Sequence, residues 1–407
     1  VKSLLFVAGA LALAAVGWAQ EWPQWRGPNR DGHAPFTAPK SWPAELKQAW
    51  SISVGIGHSS PVVSGNRVFV LSRQEEREVV AAYDVATGKA VWQDGHPVPY
   101  TMNAAATMHG KGPKSTPVVH AGLVYTLGIS GTLSAHDAAT GRLRWRKTFG
   151  DRFPMTAPLY GTAMSPVVDR GLLFVQVGGQ DRGALIAFDA ASGEEKWRWA
   201  GDGPAYASPV VAEFGAVRQV VTLTQNALVG VEAATGRLLW RENFTTDFDQ
   251  NSVTPIVDGD RLIVSGLSRG VHALAPSRSV DRWSIAKVWA NPDVSFYMST
   301  PVLSGRLLFG LSHRNRGQFV CLDAATGKTL WTSEPRQADN ASLIAAGDLL
   351  LATTTAGELI VLRRTPKLFD PIERYAIATS PVWAHPALLP AALLVKAEST
   401  LARWNIS

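Results

Sequence analysis

Ten residues recur through this chain with few changes. The segment YDVATGKAVW (83–92) returns as HDAATGRLRW (136–145), FDAASGEEKW (188–197), VEAATGRLLW (231–240) and LDAATGKTLW (322–331). Each places an acid before a Thr-Gly or Ser-Gly pair and a tryptophan four residues after the glycine. A second motif keeps step with the first: Ser60-Pro61, Thr116-Pro117, Ser165-Pro166, Ser208-Pro209, Thr254-Pro255, Thr300-Pro301 and Ser380-Pro381, each followed by Val or Ile. The degenerate NASLIAAG supplies an eighth start at Ser342. Eight starts about 40–55 residues apart in 407 residues predict one all-β repeat architecture, an eight-bladed propeller with four antiparallel strands per blade.

Between the two motifs lie two further β-rich runs, such as RVFVLS and EVVAAYD, and helical periodicity is nearly absent. Each blade therefore reads as strand A after the proline, strand B, strand C ending near the acid, a tight turn, and strand D carrying the tryptophan. The acid can accept hydrogen bonds from the turn backbone, and the glycine can take the positive φ that a short hairpin needs. Burying a tryptophan removes roughly 150–250 Å² from water, so Trp92, Trp145, Trp197, Trp240, Trp289 and Trp331 are expected to pack between neighbouring blades. After Ser380-Pro381 only three strands' worth of chain remains, ending in TLARWNIS, whereas LKQAWSISV (46–54) is a strand D with Trp50 and no preceding blade. The N-terminal strand should complete the last blade, which hides both edges of the ring. The domain reading is thus a leader at 1–19, an N-terminal extension at 20–45 and the propeller from 46 to 407.

These motifs resemble the pyrroloquinoline quinone (PQQ)-like eight-bladed propellers, whose repeat A-x-D-x-x-T-G-x-x-x-W is known as the tryptophan-docking motif. Its small first residue falls on Ala82, Ala135, Ala187, Gly230, Ala273 and Ala402, and Cys321 takes that place in its own blade. The sole thiol is therefore expected to be a buried packing residue. The resemblance implies two different kinds of work. One branch comprises quinoprotein alcohol and sugar dehydrogenases with PQQ and Ca²⁺ at the channel mouth; the other is the scaffold lipoprotein of the outer-membrane barrel-assembly machine.

The first residues, VKSLLFVAGALALAAVGWAQ, read as a secretory signal peptide with cleavage near Ala19, and no later apolar run is long enough for a membrane span. A periplasmic or secreted protein is expected. Net charge is +6, but Lys and Arg are scattered, so nucleic-acid binding is not expected. One cysteine allows no internal disulfide, and there is no CxxCH or CxxC. A monomer is the expected state.

Function has to be sought where the repeat breaks. The interval from the docking tryptophan to the next proline is 11 residues for Trp50 to Pro61 and 12 for Trp197 to Pro209, but 25 for Trp92 to Pro117 and 21 for Trp145 to Pro166. All D-to-A loops share one face of a propeller, and all five methionines fall in them: Met102, Met108, Met155, Met164 and Met298. With Tyr100, His109, Phe153 and Tyr160 they form an apolar lip beside the channel, near His58 and Asn340. The lip can be a cover for the channel, a protein or peptide docking surface, a small-molecule or quinone pocket, or a soft-metal site, though no tight ligand spacing supports the last. No His-Asp pair is spaced to activate the Ser/Thr ring. DFDQN (247–251) starts like a Ca²⁺ loop, but Ser252 stands where glycine belongs.

For dehydrogenase chemistry, acids on the correct face are Asp247, Asp249, Asp293 and Asp339, and cations for PQQ carboxylates are Lys114 and Arg336. No local motif joins them, and the disulfide of neighbouring cysteines found in the alcohol dehydrogenases is impossible here. The expectation is an exported binding scaffold without catalytic residues, metal or cofactor, whose working surface is the lip of 93–116 and 146–165 and whose partner is a protein or peptide. The alternative is a PQQ/Ca²⁺-dependent dehydrogenase of alcohols or sugars.

Overall fold

The computed structural model describes residues 21–280 and 282–406. The leader reading at 1–19 lies outside the described residues. Eight antiparallel sheets surround a channel, with strands A to D running outward in each blade. Blade 1 contains Val62–Ser64, Arg67–Gln74, Arg77–Asp84 and Ala90–Pro97. Blade 8 contains Ala387–Leu389, Ala392–Lys396 and Thr400–Asn405, and its fourth strand is Lys47–Ser53, paired antiparallel with Thr400–Asn405. Ring closure by the N-terminal strand is as the repeat count demands. No helix among the described residues is long and apolar enough to cross a membrane.

The ten-residue motif is a device for joining blades. In blade 1 the Asp84 carboxylate accepts from the Thr87 backbone N–H at 2.8 Å and from the Thr87 hydroxyl at 2.7 Å. That hydroxyl contact holds the Asp84 carboxyl below its ordinary range. The turn it shapes offers a carbonyl and a bare glycine to the tryptophan of the preceding blade. Trp50 Nε1 donates to Val85 O at 3.1 Å, Trp92 to Ala138 O at 3.1 Å, Trp197 to Ala233 O at 2.9 Å and Trp289 to Ala324 O at 2.9 Å. At Gly193 a β-carbon would lie 2.7 Å from the Trp145 ring, and φ is +72°, so two constraints select glycine there.

The two departures from the motif follow from this geometry. Blade 5 has a long C–D hairpin, Gly270–Ser279 with Arg282–Asn291, and no Thr-Gly turn; Trp240 of blade 4 donates instead to Gln219 Oε1 of its own blade at 2.7 Å. Blade 7 places Glu373 opposite Val361, where the other blades set their tryptophan. Blade 8 has no C–D turn, because its strands C and D come from opposite ends of the chain, so a tryptophan on blade 7 would find no seat. Trp331 of blade 6 still docks, on Thr365 O at 2.8 Å.

Cys321 pairs with Trp331, is wholly buried, and has its thiol pushed up to about 12 by burial, with Asp323 adding to the effect. Two register expectations are corrected. In blade 8 it is Arg403, not Ala402, that lies opposite Trp50 and takes the place of the small residue, with the bulge just before the tryptophan as in blades 1, 3 and 6. The proline motif of blade 8 is His385-Pro386 rather than Ser380-Pro381: strand A of blade 8 begins at Ala387, which pairs with Leu394.

The N-terminal extension proves to be part of the ring. Glu21–Trp22 adds to the channel edge of blade 1 and His33–Ala34 pairs in parallel with blade 7. Between them the chain crosses the channel. The Arg30 guanidinium donates to Pro166 O at 2.8 Å and to Ser165 O and Pro209 O at 3.1 Å, while Arg26 donates to Pro301 O at 2.6 Å. Buried cations need such partners, and here the start of strand A in three blades supplies them. A third buried cation fastens the closure: Lys396 Nζ lies within 3.2 Å of the carbonyls of Gly55, Gly57, Ala397 and Glu398, tying the segment after the N-terminal strand to blade 8.

Candidate functional site

The residue before each strand-A proline points at the channel axis, and together these residues make a belt of hydrogen bonds between blades. His385 N donates to Ser60 Oγ at 2.8 Å, Ser60 N to Thr116 Oγ1 at 3.3 Å, Thr116 N to Ser165 Oγ at 3.0 Å, Ser165 N to Ser208 Oγ at 2.9 Å, Ser208 N to Thr254 Oγ1 at 3.1 Å and Thr254 N to Thr300 Oγ1 at 3.3 Å. Each hydroxyl oxygen satisfies an otherwise stranded backbone N–H of the neighbouring blade. Ser342 completes the circle without such a bond, and there Ser299 Oγ instead accepts from Ala341 N at 2.9 Å.

Inside the belt lies an axial cavity of about 190 Å³, lined by the belt residues, by Trp25 of the N-terminal crossing, and by side chains of the D-to-A loops. Rings form a chain across its upper side: Trp383 and His109 lie 5.8 Å apart, His109 and Tyr160 5.9 Å, and Tyr160 and Tyr206 5.8 Å. His109 is carried in by the turn Ala104–His109 of the first long loop, and Asn103 caps that turn through Ala105 N. His58 Nε2 donates to His109 O at 3.1 Å.

The charges around the cavity are of one sign. Lys114 lines it, and among the described residues no Asp or Glu does. Burial pulls Lys114 down to about 8, opposed by Glu78. Burial, with Lys114 and Lys396 adding to it, pulls His58 down to about 4, and burial with Arg26 does the same to His385. These imidazoles are neutral near pH 7. Outside the lining, Glu78 accepts from Ile129 N at 2.7 Å through Oε1, its Oε2 has no partner, and burial raises its carboxyl to about 6.

The lip residues divide four ways. His109, Tyr160 and Met298 reach the cavity. Phe153 and Met164 turn down into the core between blades 2 and 3, Met164 with no exposed surface at all. Tyr100 and Met102 are half-buried. Met108, 85% exposed, and Met155, 48% exposed, face solvent together with Phe248, 73% exposed, from the loop after blade 4.

Of the residues that a quinone with Ca²⁺ would call on, only Lys114 is at the cavity. Arg336, Asp293, Asp339 and Asp247 are exposed and do not line it. Asp249 accepts from the Gln180 and Gln225 side chains, Gln250 accepts from the Tyr297 hydroxyl, and the Asn251 amide donates to Thr224 O and Phe244 O at 2.8 Å. Among the described residues no group of three or more His, Cys, Asp or Glu is placed to hold a metal ion. A Ca²⁺ site requires several oxygen ligands, carboxylates foremost, and a tricarboxylate requires more than one cation, so this donor set does not fit the pair.

The matches with known proteins agree with the ring. The family model described as outer membrane protein assembly factor BamB matches residues 42–112 and 76–333. The chain belongs to this family of PQQ-like propellers. It is 26% identical to outer membrane protein assembly factor BamB of Moranella endobia (strain PCIT) over 54% of this chain and 50% of that protein. It is 29% identical to methanol dehydrogenase [cytochrome c] subunit 1 of Paracoccus denitrificans over 39% of this chain and 26% of that protein. The chain thus spans about half the length of the first relative and about a quarter of the second. Quinohemoprotein alcohol dehydrogenase of Comamonas testosteroni shares the fold with a TM-score of 0.66 at 16% identity, over 95% of this chain and 80% of that one. BamB-type propellers and quinoproteins are both relatives.

The sequence reading missed His385, Trp383, Trp25, Arg26 and Arg30. A usable signal existed for the first. Strand A pairs with strand B seven residues on in blades 1, 2, 3, 5, 6 and 7, as in Val62 with Phe69, and that spacing selects Ala387 with Leu394.

Proposed function

We propose that this protein is an exported, non-catalytic propeller that works as a binding scaffold, takes a protein or peptide on the lip of loops 93–116 and 146–165, and loses residues 1–19 on export. The observation that carries the reading is the exposure of Met108 and Met155 on the two loops that break the repeat, with Phe248 on the same face. Unbranched, polarisable methionine side chains suit an adaptable apolar contact, and apolar groups grouped on one face mark interaction sites more often than singly scattered ones do. The likeness to an outer membrane protein assembly factor supports the same reading. The alternative, a PQQ/Ca²⁺ dehydrogenase of alcohols or sugars, draws support from the methanol dehydrogenase relative but has one cation and no carboxylate at the cavity to work with.

The test is a double variant, Met108→Asp with Met155→Asp, used beside the unchanged chain as bait in an extract of exported proteins. Both positions are exposed, so stability is expected to change by less than about 0.5 kcal/mol, while retention of partners falls sharply. Equal retention by the variant sinks the lip as the working surface, and a large drop in melting temperature makes the lip a cover for the channel.

A further inference from the structure

The belt hydroxyls have a property that the scaffold reading does not use. Six of them, on Ser60, Thr116, Ser165, Ser208, Thr254 and Thr300, accept a backbone N–H or line up to do so, and none donates to another described residue. With one lone pair engaged, each keeps an O–H for the cavity. The belt is therefore a ring of donors facing inward, Lys114 adds a cationic donor, and no carboxylate stands among the lining residues to accept from them. Donors in excess of acceptors inside a buried space call for a ligand rich in acceptors.

The rest of the lining specifies the body of such a ligand. Trp25 forms the floor, half-exposed, with the Arg26 and Arg30 guanidiniums 5.5 and 5.9 Å from its ring centroid. Trp383, Tyr160 and Tyr206 close the upper side. Aromatic rings among the lining residues favour a flat apolar body. The volume of about 190 Å³ is below the roughly 300–1,000 Å³ of sites for drug-sized molecules. One cation matches one negative charge.

We propose that the axial cavity binds a small planar monoanion, an arylcarboxylate in chemical class, its carboxylate on Lys114 and the hydroxyl belt and its ring on the Trp25 floor that the N-terminal crossing supplies. This ligand differs from the quinone–Ca²⁺ pair in size, charge and need for metal, and the site is separate from the exposed lip, so either can fail alone.

The test is calorimetric titration of the full protein with benzoate as the probe, beside benzyl alcohol, which keeps the ring and loses the charge, and acetate, which does the reverse. Saturable one-to-one binding of benzoate is expected, with both comparators at least about tenfold weaker, the factor that a charge-assisted hydrogen bond carries. Lys114→Met should weaken benzoate by a similar factor, and Met298→Trp, which fills the cavity, should abolish binding while the melting transition persists. No benzoate binding at millimolar concentration, equal binding of benzyl alcohol, or undiminished binding to a folded Met298→Trp protein overturns the proposal. The comparison of the three probes on the unchanged protein decides the matter even if a variant fails to fold.

Discussion

Deleting residues through Val54 is expected to convert a soluble ring into a protein that aggregates and shows no cooperative melting transition. The cut removes Lys47–Ser53, the fourth strand of blade 8, and leaves Thr400–Asn405 with a free row of backbone donors and acceptors. Exposed edges of this kind pair with other chains. It also takes Trp50 from its seat on the turn of blade 1 and frees the segment that Lys396 clasps. A shorter deletion, through Glu45, separates the two roles of the N-terminus. It removes Trp22, Arg26 and Arg30 from the channel but keeps the closing strand, so it should still yield a folded ring, of lower stability and with an open channel. Size-exclusion chromatography and thermal melting of the two deletions check this; a folded, monodisperse protein from the longer deletion would show that the ring does not depend on its closing strand.

Replacing Trp197 by alanine is expected to cost about 3–5 kcal/mol, the range for large aromatic-to-alanine changes in cores. Trp197 is 8% exposed, contacts Phe174 at a ring separation of 5.7 Å, rests on Gly236 of blade 4 and donates to Ala233 O. Its removal opens a cavity and also leaves a turn carbonyl without its donor, and both effects fall on the seam between blades 3 and 4. Trp197→Phe keeps part of the volume and loses the indole donor, so its cost should be smaller. Chemical denaturation of the three proteins gives the ranking, and a loss below about 1 kcal/mol for Trp197→Ala contradicts the docking account.

The fold was legible because repetition multiplies weak signals. No single hairpin such as YDVATGKAVW fixes an architecture, but five copies in step with a proline motif fix the number of strands and leave the first and last elements each incomplete. Where a motif residue was absent, the reading lost its register. Ser380-Pro381 fits the motif of the last blade start because serine precedes proline, whereas the spacing between strands A and B points to His385-Pro386. Ala402 matches the small residues that fill that place elsewhere, yet the strand pairing, Leu394 with Arg403 and Arg403 with Trp50, puts Arg403 there.

The site was less legible, for a physical reason. Loop length and composition mark the lip residues, and neither tells inward from outward. Loop 146–165 sends Met164 and Phe153 into the core, Tyr160 to the cavity and Met155 to solvent. The crossing by Trp22 to Ala34 left no periodic trace, because its strands are two residues long and its hold on the ring comes from two arginines reaching carbonyls more than a hundred residues away. Such contacts belong to the closed ring and not to any local pattern.

The central claim is that this member of the PQQ-like propellers binds without catalysing. The most direct measurement is to incubate the purified protein with PQQ and Ca²⁺, separate it from free quinone, read the quinone retained by absorbance, and follow dye-linked oxidation of alcohols and aldoses. A cavity with one lining cation and no lining carboxylate predicts no stoichiometric quinone and no turnover above the blank. Quinone retained at one per chain, with turnover that requires Ca²⁺, would contradict the account.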